Sequence, residues 1–256
     1  MSRSVAGAMD RSASSSERKP LFMTAAWRDL AILNYEVEAS VLAGRVPPGC
    51  ELDDWNGTHF ITVAGFRFLK PRILGLALPF RNDSVEVNLG FYVRRRAGSA
   101  WRRGMAYIKE MSSRRLIAYL ARHLFGEDAV ALPMRHAHLS AAGHDGRMFT
   151  YGWRRRGAWE GLSVRSAGPP LAYSEDSEEA FLMDRYWAFA RKGESTFETQ
   201  VEHPRWRLYR GDAATLDADI PHLFGPEFME ALCFPPRSAL TADGSSVIVR
   251  RRHRVR

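Results

Sequence analysis

The feature that most constrains the fold is the alternation of residues 85–93, VEVNLGFYV. Apolar side chains occupy every second position, and Glu86, Asn88, Gly90 and Tyr92 fall between them. Because successive side chains of a strand point to opposite faces, this pattern predicts a β-strand with one apolar and one mixed face. The mixed face meets either solvent or an enclosed space, and only in the second case do Glu86 and Asn88 line a ligand site.

Strand-like segments recur along the chain between Gly, Pro and charged turns. Two helices are predicted at 114–125 and 178–192, each preceded by serine caps and followed by glycine. There is no βα alternation, which argues against a doubly wound sheet. We therefore predict an α+β fold built on a strongly curved, mostly antiparallel β-sheet or barrel with a few packed helices. The predicted strands are 59–69, 85–95, 101–111, 147–155, 159–166, 195–203 and 245–251, with a short helical turn at 227–232.

The positive charge of the chain is concentrated at its two ends. The 256 residues carry a formal net charge of +8, of which residues 1–20 contribute +2 and residues 250–256 contribute +5. The part between them is nearly neutral and offers no basic recognition helix, so a nucleic-acid partner is not favoured. We predict a disordered N-terminal tail over 1–20, one domain over 21–249 and a basic C-terminal tail over 250–256.

The sequence predicts a cytoplasmic protein without a membrane partner. Its longest apolar run, ILGLALPF at 73–80, is far short of the roughly 20 residues that a membrane-spanning helix needs. The first 20 residues contain no apolar stretch typical of a secretory signal. Cys50 and Cys233 are isolated in the sequence, which favours free thiols in a reducing compartment.

Arg114 and Arg115 open the predicted helix 114–125, where the helix dipole disfavours each cation by about 0.3–1 kcal/mol. Two explanations remain open at this stage. Both side chains extend into water, or both guanidinium groups converge with free helix N–H groups on one anion. The second explanation predicts an anion site near Glu86, Asn88 and Lys109, because strand 101–111 runs directly into this helix.

Four segments carry a resemblance to a known family: VNLGFYVRR (87–95), KEMSSRR (109–115), ALPMRH (131–136) and VEHPRWRLYR (201–210). They resemble the YqjF-like bacterial family, a domain of unknown function numbered 2071, and the resemblance covers nearly all of residues 21–249. That family is similar in fold to acetoacetate decarboxylase, which implies a barrel-like sheet around a central cavity with helices outside. The resemblance implies no established activity.

Decarboxylases of that superfamily use a Schiff-base lysine next to a second lysine that lowers its pKa. By a loose match, Arg114 and Arg115 take the places of these two lysines. Arginine stays protonated and cannot act as the nucleophile, so the resemblance does not extend to Schiff-base chemistry here. Lys109 is the one lysine on a strand that could face a cavity, and an ion-paired surface position is its alternative.

The resemblance also predicts which strand face meets the cavity. In a barrel one face of each strand lines the lumen, so Glu86, Asn88 and Tyr92 are expected to point inward. We predict a cavity for a small acidic, carboxylate-bearing ligand, with Glu86 and Lys109 as the candidate catalytic residues. The candidate ligand-binding residues are Asn88, Tyr92, Arg114, Arg115, Arg135 and His136, the last two because their segment matches the family.

No metal site and no cofactor are predicted. His136, His138, His144 and Asp145 do not follow a zinc-site spacing, and no nucleotide-binding motif is present. Two alternatives to an acid–base enzyme remain: a non-catalytic protein that binds or senses a small molecule, and a protein that binds polyanions through its arginine-rich C-terminal end. The sequence also leaves open whether the chain forms a homo-oligomer.

Overall fold

The computed structural model describes residues 19–77, 83–140 and 146–255, and strands predominate in these ranges. The strands are β1 (Leu21–Glu36), β2 (Glu51–Leu52), β3 (Phe60–Ile73), β4 (Leu76–Ala77), β5 (Ser84–Ala97), β6 (Ala100–Ser112), β7 (Ala129–Ala131), β8 (Met134–Ser140), β9 (Arg147–Arg155), β10 (Ala158–Ser166), β11 (Trp187–Lys192), β12 (Ser195–Glu202), β13 (Leu208–Asp217), β14 (Ser238–Arg250) and β15 (His253–Val255). The helices are α1 (Ala39–Ala43), α2 (Arg115–Leu120), α3 (Glu178–Met183), α4 (Ile220–Leu223) and α5 (Met229–Leu232). A π-helical turn (Ala121–Phe125) extends α2, and a 3-10 turn (Pro226–Phe228) precedes α5.

The central sheet closes on itself as a barrel. Antiparallel ladders join β14, β1, β3, β5 and β6 in that order. The ring closes because β12 pairs with both β11 and β14, while β11 meets β6 in parallel at Ala188 and Met105. Side chains therefore alternate between the lumen and the outside along each strand. The predicted fold class, a strongly curved and mostly antiparallel barrel with few helices, is confirmed.

A second group of strands covers the outer face of the barrel. Strands β13, β10, β9 and β8 continue antiparallel from β14. Tyr151 on β9 lies so close to β3 that a Cβ at Gly65 would be 2.5 Å from its Cδ2 atom. The Tyr151 hydroxyl also donates a hydrogen bond to the backbone oxygen of Asp29 on β1. Glycine at position 65 therefore allows the two layers to approach each other.

The two faces of β5 belong to two different apolar cores. Val87, Leu89, Phe91 and Val93 point outward and pack against β9, β10 and the C-terminal helices. Tyr92 points into the barrel, where it packs with side chains of β1, β3 and α3. The alternation of residues 85–93 thus separates the outer core from the lumen.

The predicted helix 178–192 is wrong in its second half. Ser177 caps α3 as expected, accepting a hydrogen bond from the Ala180 N–H at 3.1 Å, but the helix ends at Met183. Residues 187–192 form β11, whose pairing with β12 replaces the helical hydrogen bonds. Gly193, which the sequence suggested as a helix terminator, has φ of 59° and makes the turn between the two strands.

The helix predicted at 114–125 is present as α2 and its π-helical extension, and Gly126 ends it with φ of 77°. The predicted serine caps are wrong, because the N-cap position is Arg114 and no side chain caps the helix. Ser113 instead accepts a hydrogen bond from the Val85 N–H at 2.9 Å. This contact ties the start of α2 to β5.

Two parts of the predicted basic tail, Arg250 and residues 253–255, belong to strands of the sheet. Arg250 ends β14 and pairs with Glu202 at 2.8 Å, and β15 adds to β12. His253 on β15 lies 3.3 Å from the carboxylate of Glu198. Acidic partners on β12 therefore hold this segment in place. The N-terminal tail predicted over 1–20 falls outside the described residues except for its last two positions.

Within the described ranges, none of the helices is both long enough and apolar enough to cross a membrane.

Candidate functional site

The barrel encloses two adjoining chambers, and the inward face of β5 lines both of them. We call the larger one, of about 130 Å³, the carboxyl chamber and the smaller one, of about 90 Å³, the arginine chamber. A single water needs only ~10–15 Å³ of such space, so each chamber has room for a small organic group. The carboxyl chamber has Glu86, Asn88, Tyr107, Glu110 and Glu127 on its polar side, and the arginine chamber has Thr62, Asn88, Tyr92, Tyr107, Arg185 and His203.

Apolar and aromatic side chains make up the shared wall. Trp27, Phe66, Ala188 and Val201 line both chambers, together with Asn88 and Tyr107. The amide oxygen of Asn88 is buried and has no hydrogen-bond partner among the described residues. Buried polar groups are nearly always hydrogen-bonded, so this oxygen is available to a ligand that spans the two chambers.

A β-bulge decides which side chains of β6 enter the carboxyl chamber. Leu89 faces Lys109 across the ladder, but the next residue, Gly90, faces Tyr107, so Ile108 is the extra residue. A bulge re-aims the side chains on either side of it. Tyr107 and Glu110 consequently both line the chamber although they are three positions apart.

The same bulge turns Lys109 to the outside. Its Nζ atom lies 2.6 Å from the carboxylate of Asp128, and the residue lines neither chamber. The prediction that Lys109 faces the cavity is therefore wrong, since Glu110 takes that position. Glu110 is next to Lys109 in the segment KEMSSRR (109–115). Its position in the chamber could not be predicted from the sequence, because the alternation of side chains gives no sign of the bulge.

Glu86 is buried at the polar side of the carboxyl chamber and is about 9% exposed. The hydroxyl groups of Ser84 and Ser112 donate hydrogen bonds to its Oε1 atom, at 2.8 and 3.4 Å. Burial raises the pKa of Glu86 to about 7, and the two serine hydrogen bonds oppose that rise only in part. The carboxyl group therefore exchanges its proton near neutral pH.

Glu110 and Glu127 form a hydrogen-bonded carboxyl pair next to Glu86. Glu127 follows Gly126, whose left-handed backbone turns the chain back toward β6 at the end of the π-helical turn. Burial and the neighbouring carboxylates raise the pKa of Glu110 well above its usual range, and burial raises that of Glu127 to about 7. Two carboxyl groups this close share one proton, with Glu110 as the donor.

No Lys, Arg or His occurs among the described residues that line the carboxyl chamber. Arg252, outside that lining, lowers the pKa of Glu127 but does not offset the rise caused by burial, so the negative charge of the three carboxyl groups is limited mainly by protonation. Such a cluster holds at least one proton and offers at least one basic oxygen at neutral pH. This combination is what general acid–base catalysis requires.

Arg185 is the charged group of the arginine chamber, and the sequence did not single it out because the predicted helix ran through it. It follows α3 and is about 8% exposed. Its Nη1 atom donates to Asp53 at 3.0 Å, and its guanidinium group lies over the rings of Phe181 and Tyr92 at 4.1 and 5.1 Å. The side chain is thereby held in one position in the chamber wall.

The structure does not bring the other predicted ligand-binding residues into either chamber. Arg114 and Arg115 are exposed at the start of α2, and the Arg114 Nε atom donates to the backbone oxygen of Asp83 at 3.1 Å. Arg135 stacks at 4.1 Å on the ring of Trp159, outside the barrel. His136 is exposed on β8. The expected convergence of both arginines with Glu86 is therefore not formed, because the arginines stay in solvent.

A metal site is not formed by the part of the chain that the structure describes, in which no three His, Cys, Asp or Glu side chains are arranged to hold an ion. His138 packs edge-on against Phe149 on β9. His144 and Asp145 lie outside the described residues. Cys50 and Cys233 are free thiols.

Comparisons with known proteins agree with the barrel. The model of the DUF2071 family, described as an uncharacterised conserved protein, matches residues 24–245. The uncharacterised protein YqjF of Bacillus subtilis (strain 168) is 24% identical over 196 residues, which are 75% of this chain and 76% of that protein.

Three solved structures that are similar to this chain illustrate the match. An acetoacetate decarboxylase-like enzyme from Sphingomonas wittichii RW1 superposes with a TM-score of 0.64 at 14% identity, covering 98% of this chain and 99% of that one. Acetoacetate decarboxylase from Legionella pneumophila gives 0.61 at 12% identity, covering 100% and 98%. The enduracididine biosynthesis enzyme MppR, complexed with pyruvate, gives 0.60 at 13% identity, covering 93% and 91%. These similarities show the fold.

Proposed function

We propose that this chain, which belongs to the DUF2071 family, binds a small organic molecule in the barrel and transfers protons to or from it. The carboxyl groups of Glu86, Glu110 and Glu127 perform the transfer. The observation that carries this proposal is their convergence on one chamber, with a shared proton and with no Lys, Arg or His among the described residues that line it.

The apolar walls favour a ligand with a largely apolar body. The wall residues exclude water from the carboxyl groups, which keeps the proton affinity of these groups high. The part of the ligand that enters this chamber is uncharged and carries an oxygen, such as a carbonyl or hydroxyl group, because an anion would meet carboxylates there. One enzyme of the same fold was solved with pyruvate bound, which is consistent with a ligand of this size.

The proton transfer follows from the hydrogen-bonded pair of Glu110 and Glu127. Glu127, as the carboxylate of the pair, accepts a proton from an acidic C–H or O–H group of the ligand. Once Glu127 is protonated, the hydroxyl of Glu110 loses its carboxylate acceptor and can donate to the ligand oxygen that has gained negative charge. The pair still holds one proton, now on Glu127, and passing it to Glu110 restores the starting state. Glu86, with its pKa near 7, exchanges protons with the pair and the solvent between cycles.

Lysine chemistry finds no support in this cavity. No lysine occurs among the described residues that line the two chambers. The polyanion-binding alternative is also weakened, because the arginine-rich end is engaged with Glu202 and β12. A non-catalytic binding protein would use the same cavity, and only a measurement of turnover separates it from an enzyme.

The test combines binding with isotope exchange on the full chain. Small ketones and keto acids, among them acetone and pyruvate, are screened by thermal shift, where a ligand at 100 times its Kd adds about 2.7 kcal/mol to stability. Each ligand that binds is then incubated in D₂O near neutral pH, and exchange of the protons next to its carbonyl is followed by NMR.

We expect the wild type and the matched surface variant Glu230→Gln to exchange these protons. Glu127→Gln should lower the rate by roughly 10²-fold or more, the usual contribution of a general base. Binding without exchange in the wild type would identify a non-catalytic binder. Equal exchange by wild type and Glu127→Gln would refute the role of the pair.

A further inference from the structure

One edge of the Arg185 guanidinium group is buried and has no hydrogen-bond partner among the described residues. Nη1 donates to Asp53, but Nε and Nη2 have no hydrogen-bond partner among the described residues. Nε–H and Nη2–H lie on the same edge of the planar group and point in parallel. Such an edge donates two parallel hydrogen bonds, one to each oxygen of a carboxylate.

The charge of Arg185 is not neutralised by its partner. Asp53 is shared among three guanidinium groups, since Arg103 and Arg94 lie 3.4 and 3.6 Å from its Oδ1 atom. One carboxylate therefore faces three cations, although Arg94 also approaches Glu51 and Asp54. Arg94 and Arg103 are partly exposed and do not line the arginine chamber. Among the described residues that line it, Arg185 is the one Arg or Lys and there is no Asp or Glu, which favours an anion.

The arginine chamber adjoins the carboxyl chamber. Trp27, Phe66, Asn88 and Tyr107 line both, so a ligand that reaches from Arg185 to the carboxyl cluster would pass these four side chains. The two ends of such a ligand meet opposite environments. Near Arg185 the cavity favours a negatively charged group of the ligand. Near Glu86, Glu110 and Glu127 it favours an uncharged polar group.

We propose that the ligand is a small monocarboxylate whose carboxylate group binds the Nε–H and Nη2–H edge of Arg185 in the arginine chamber, while its uncharged end lies in the carboxyl chamber. This inference rests on the proposed function and names the ligand class for the same cavity. It moves the anion site from Arg114 and Arg115, where the sequence placed it, to Arg185. A ligand of this class that carries a hydroxyl group in its middle would donate to the amide oxygen of Asn88, which has no partner among the described residues.

The test compares acids with their own amides on the full chain. Butanoate and butanamide, then hexanoate and hexanamide, are titrated while tryptophan fluorescence is recorded, because Trp27, Trp187 and Trp206 line the arginine chamber. An acid and its amide have nearly the same shape and differ in charge. A bidentate charged contact predicts that each acid binds at least tenfold more tightly than its amide.

Variants at Arg185 locate the preference. Arg185→Gln should abolish it, and Arg185→Lys should reduce it, because lysine keeps the charge but loses the fork. Arg114→Gln is the matched control and should leave the preference unchanged. Arg185→Gln breaks a buried ion pair and can fail to fold, which circular dichroism detects. In that case the ratio of acid to amide affinity in the wild type, and its reduction in Arg185→Lys, test the inference.

Equal affinity of acids and amides in the wild type, or no binding of any probe, would overturn the inference. So would a folded Arg185→Gln that keeps the preference. Failure of the proposed function is visible separately. If acids are preferred through Arg185 but no ligand undergoes deuterium exchange, the carboxylate site stands and proton transfer fails. If exchange occurs without a preference for acids, only the Arg185 assignment fails.

Discussion

Replacing Glu86 by glutamine should remove the loss of stability that this carboxyl group causes as the pH rises. The group has an ordinary pKa of 4.5 and a pKa of about 7 in the folded protein. Between these two values the folded protein binds more protons than the unfolded chain, so stability falls as the pH increases. Once the pH exceeds both values, the loss due to Glu86 reaches about 3 kcal/mol, at ~1.4 kcal/mol per pH unit.

Glutamine suits this test because it has nearly the shape of a protonated glutamic acid. Its amide oxygen can accept the hydrogen bonds of Ser84 and Ser112 that Oε1 of Glu86 accepts now. The variant should come close to the wild type near pH 4.5, where Glu86 is protonated in the folded protein and half protonated in the unfolded chain. It should be more stable above pH 7, where only the wild type has to bury a charge.

The assay is thermal and urea unfolding at a series of values from about pH 4.5 to 8.5. A difference of about 3 kcal/mol corresponds to roughly 6–12 °C in Tm for a chain of this size. Glu110 and Glu127 still titrate in the variant, but Glu86 raises the pKa of both, so the difference between the two proteins contains Glu86 and its coupling to this pair. Glu230→Gln, at an exposed helix position, is the control. A difference independent of pH would show that Glu86 is not held uncharged by burial.

Three further predictions follow from single contacts. Gly65→Ala should lower the free energy of unfolding by about 1–3 kcal/mol in urea melts, because the added Cβ would lie 2.5 Å from Tyr151 Cδ2; an unchanged midpoint would mean that the outer strands are not packed on β3. Lys109→Met should cost less than about 1 kcal/mol and leave ligand binding intact, since Lys109 pairs with Asp128 outside the cavity; a loss of binding in titrations would return Lys109 to the site. Ser177→Ala should cost about 1 kcal/mol by removing the cap of α3, and a thermal melt unaffected by the change would contradict that cap.

The inward row of β5 could be predicted from the sequence because its period is two. Once the sheet was expected to close, the positions of Glu86, Asn88 and Tyr92 followed from alternation alone, and the structure places all three in the chamber walls. The identity of the remaining site residues depends on departures from that period. The bulge at Ile108 exchanges the faces of two neighbouring residues on β6, and no residue type in the segment signals it.

Because residues 178–192 were predicted to form one helix, Arg185 was not identified as a residue of the arginine chamber. The helical pattern of this segment is sufficient for α3, but residues 187–192 gain more from pairing with β12 than from continuing the helix. Arg185 lies in the connection between these elements. The helix prediction assigned it no role, and only the tertiary pairing of β11 with β12 turns it into a residue of the chamber wall.

The barrel is closed unevenly, and this has a consequence for its local stability. In the described residues, the ladder between β11 and β6 consists of the pair Ala188 and Met105, whereas β11 and β12 pair along their whole length. The β11–β12 hairpin can therefore separate from β6 as a unit at a lower free energy than other strands of the barrel. Because Ala188 and Val201 of this hairpin line both chambers, a bound ligand should slow amide hydrogen exchange there. Binding of a ligand in the cavity would thus be detected as slower amide hydrogen exchange in a hairpin that carries none of the three carboxyl groups.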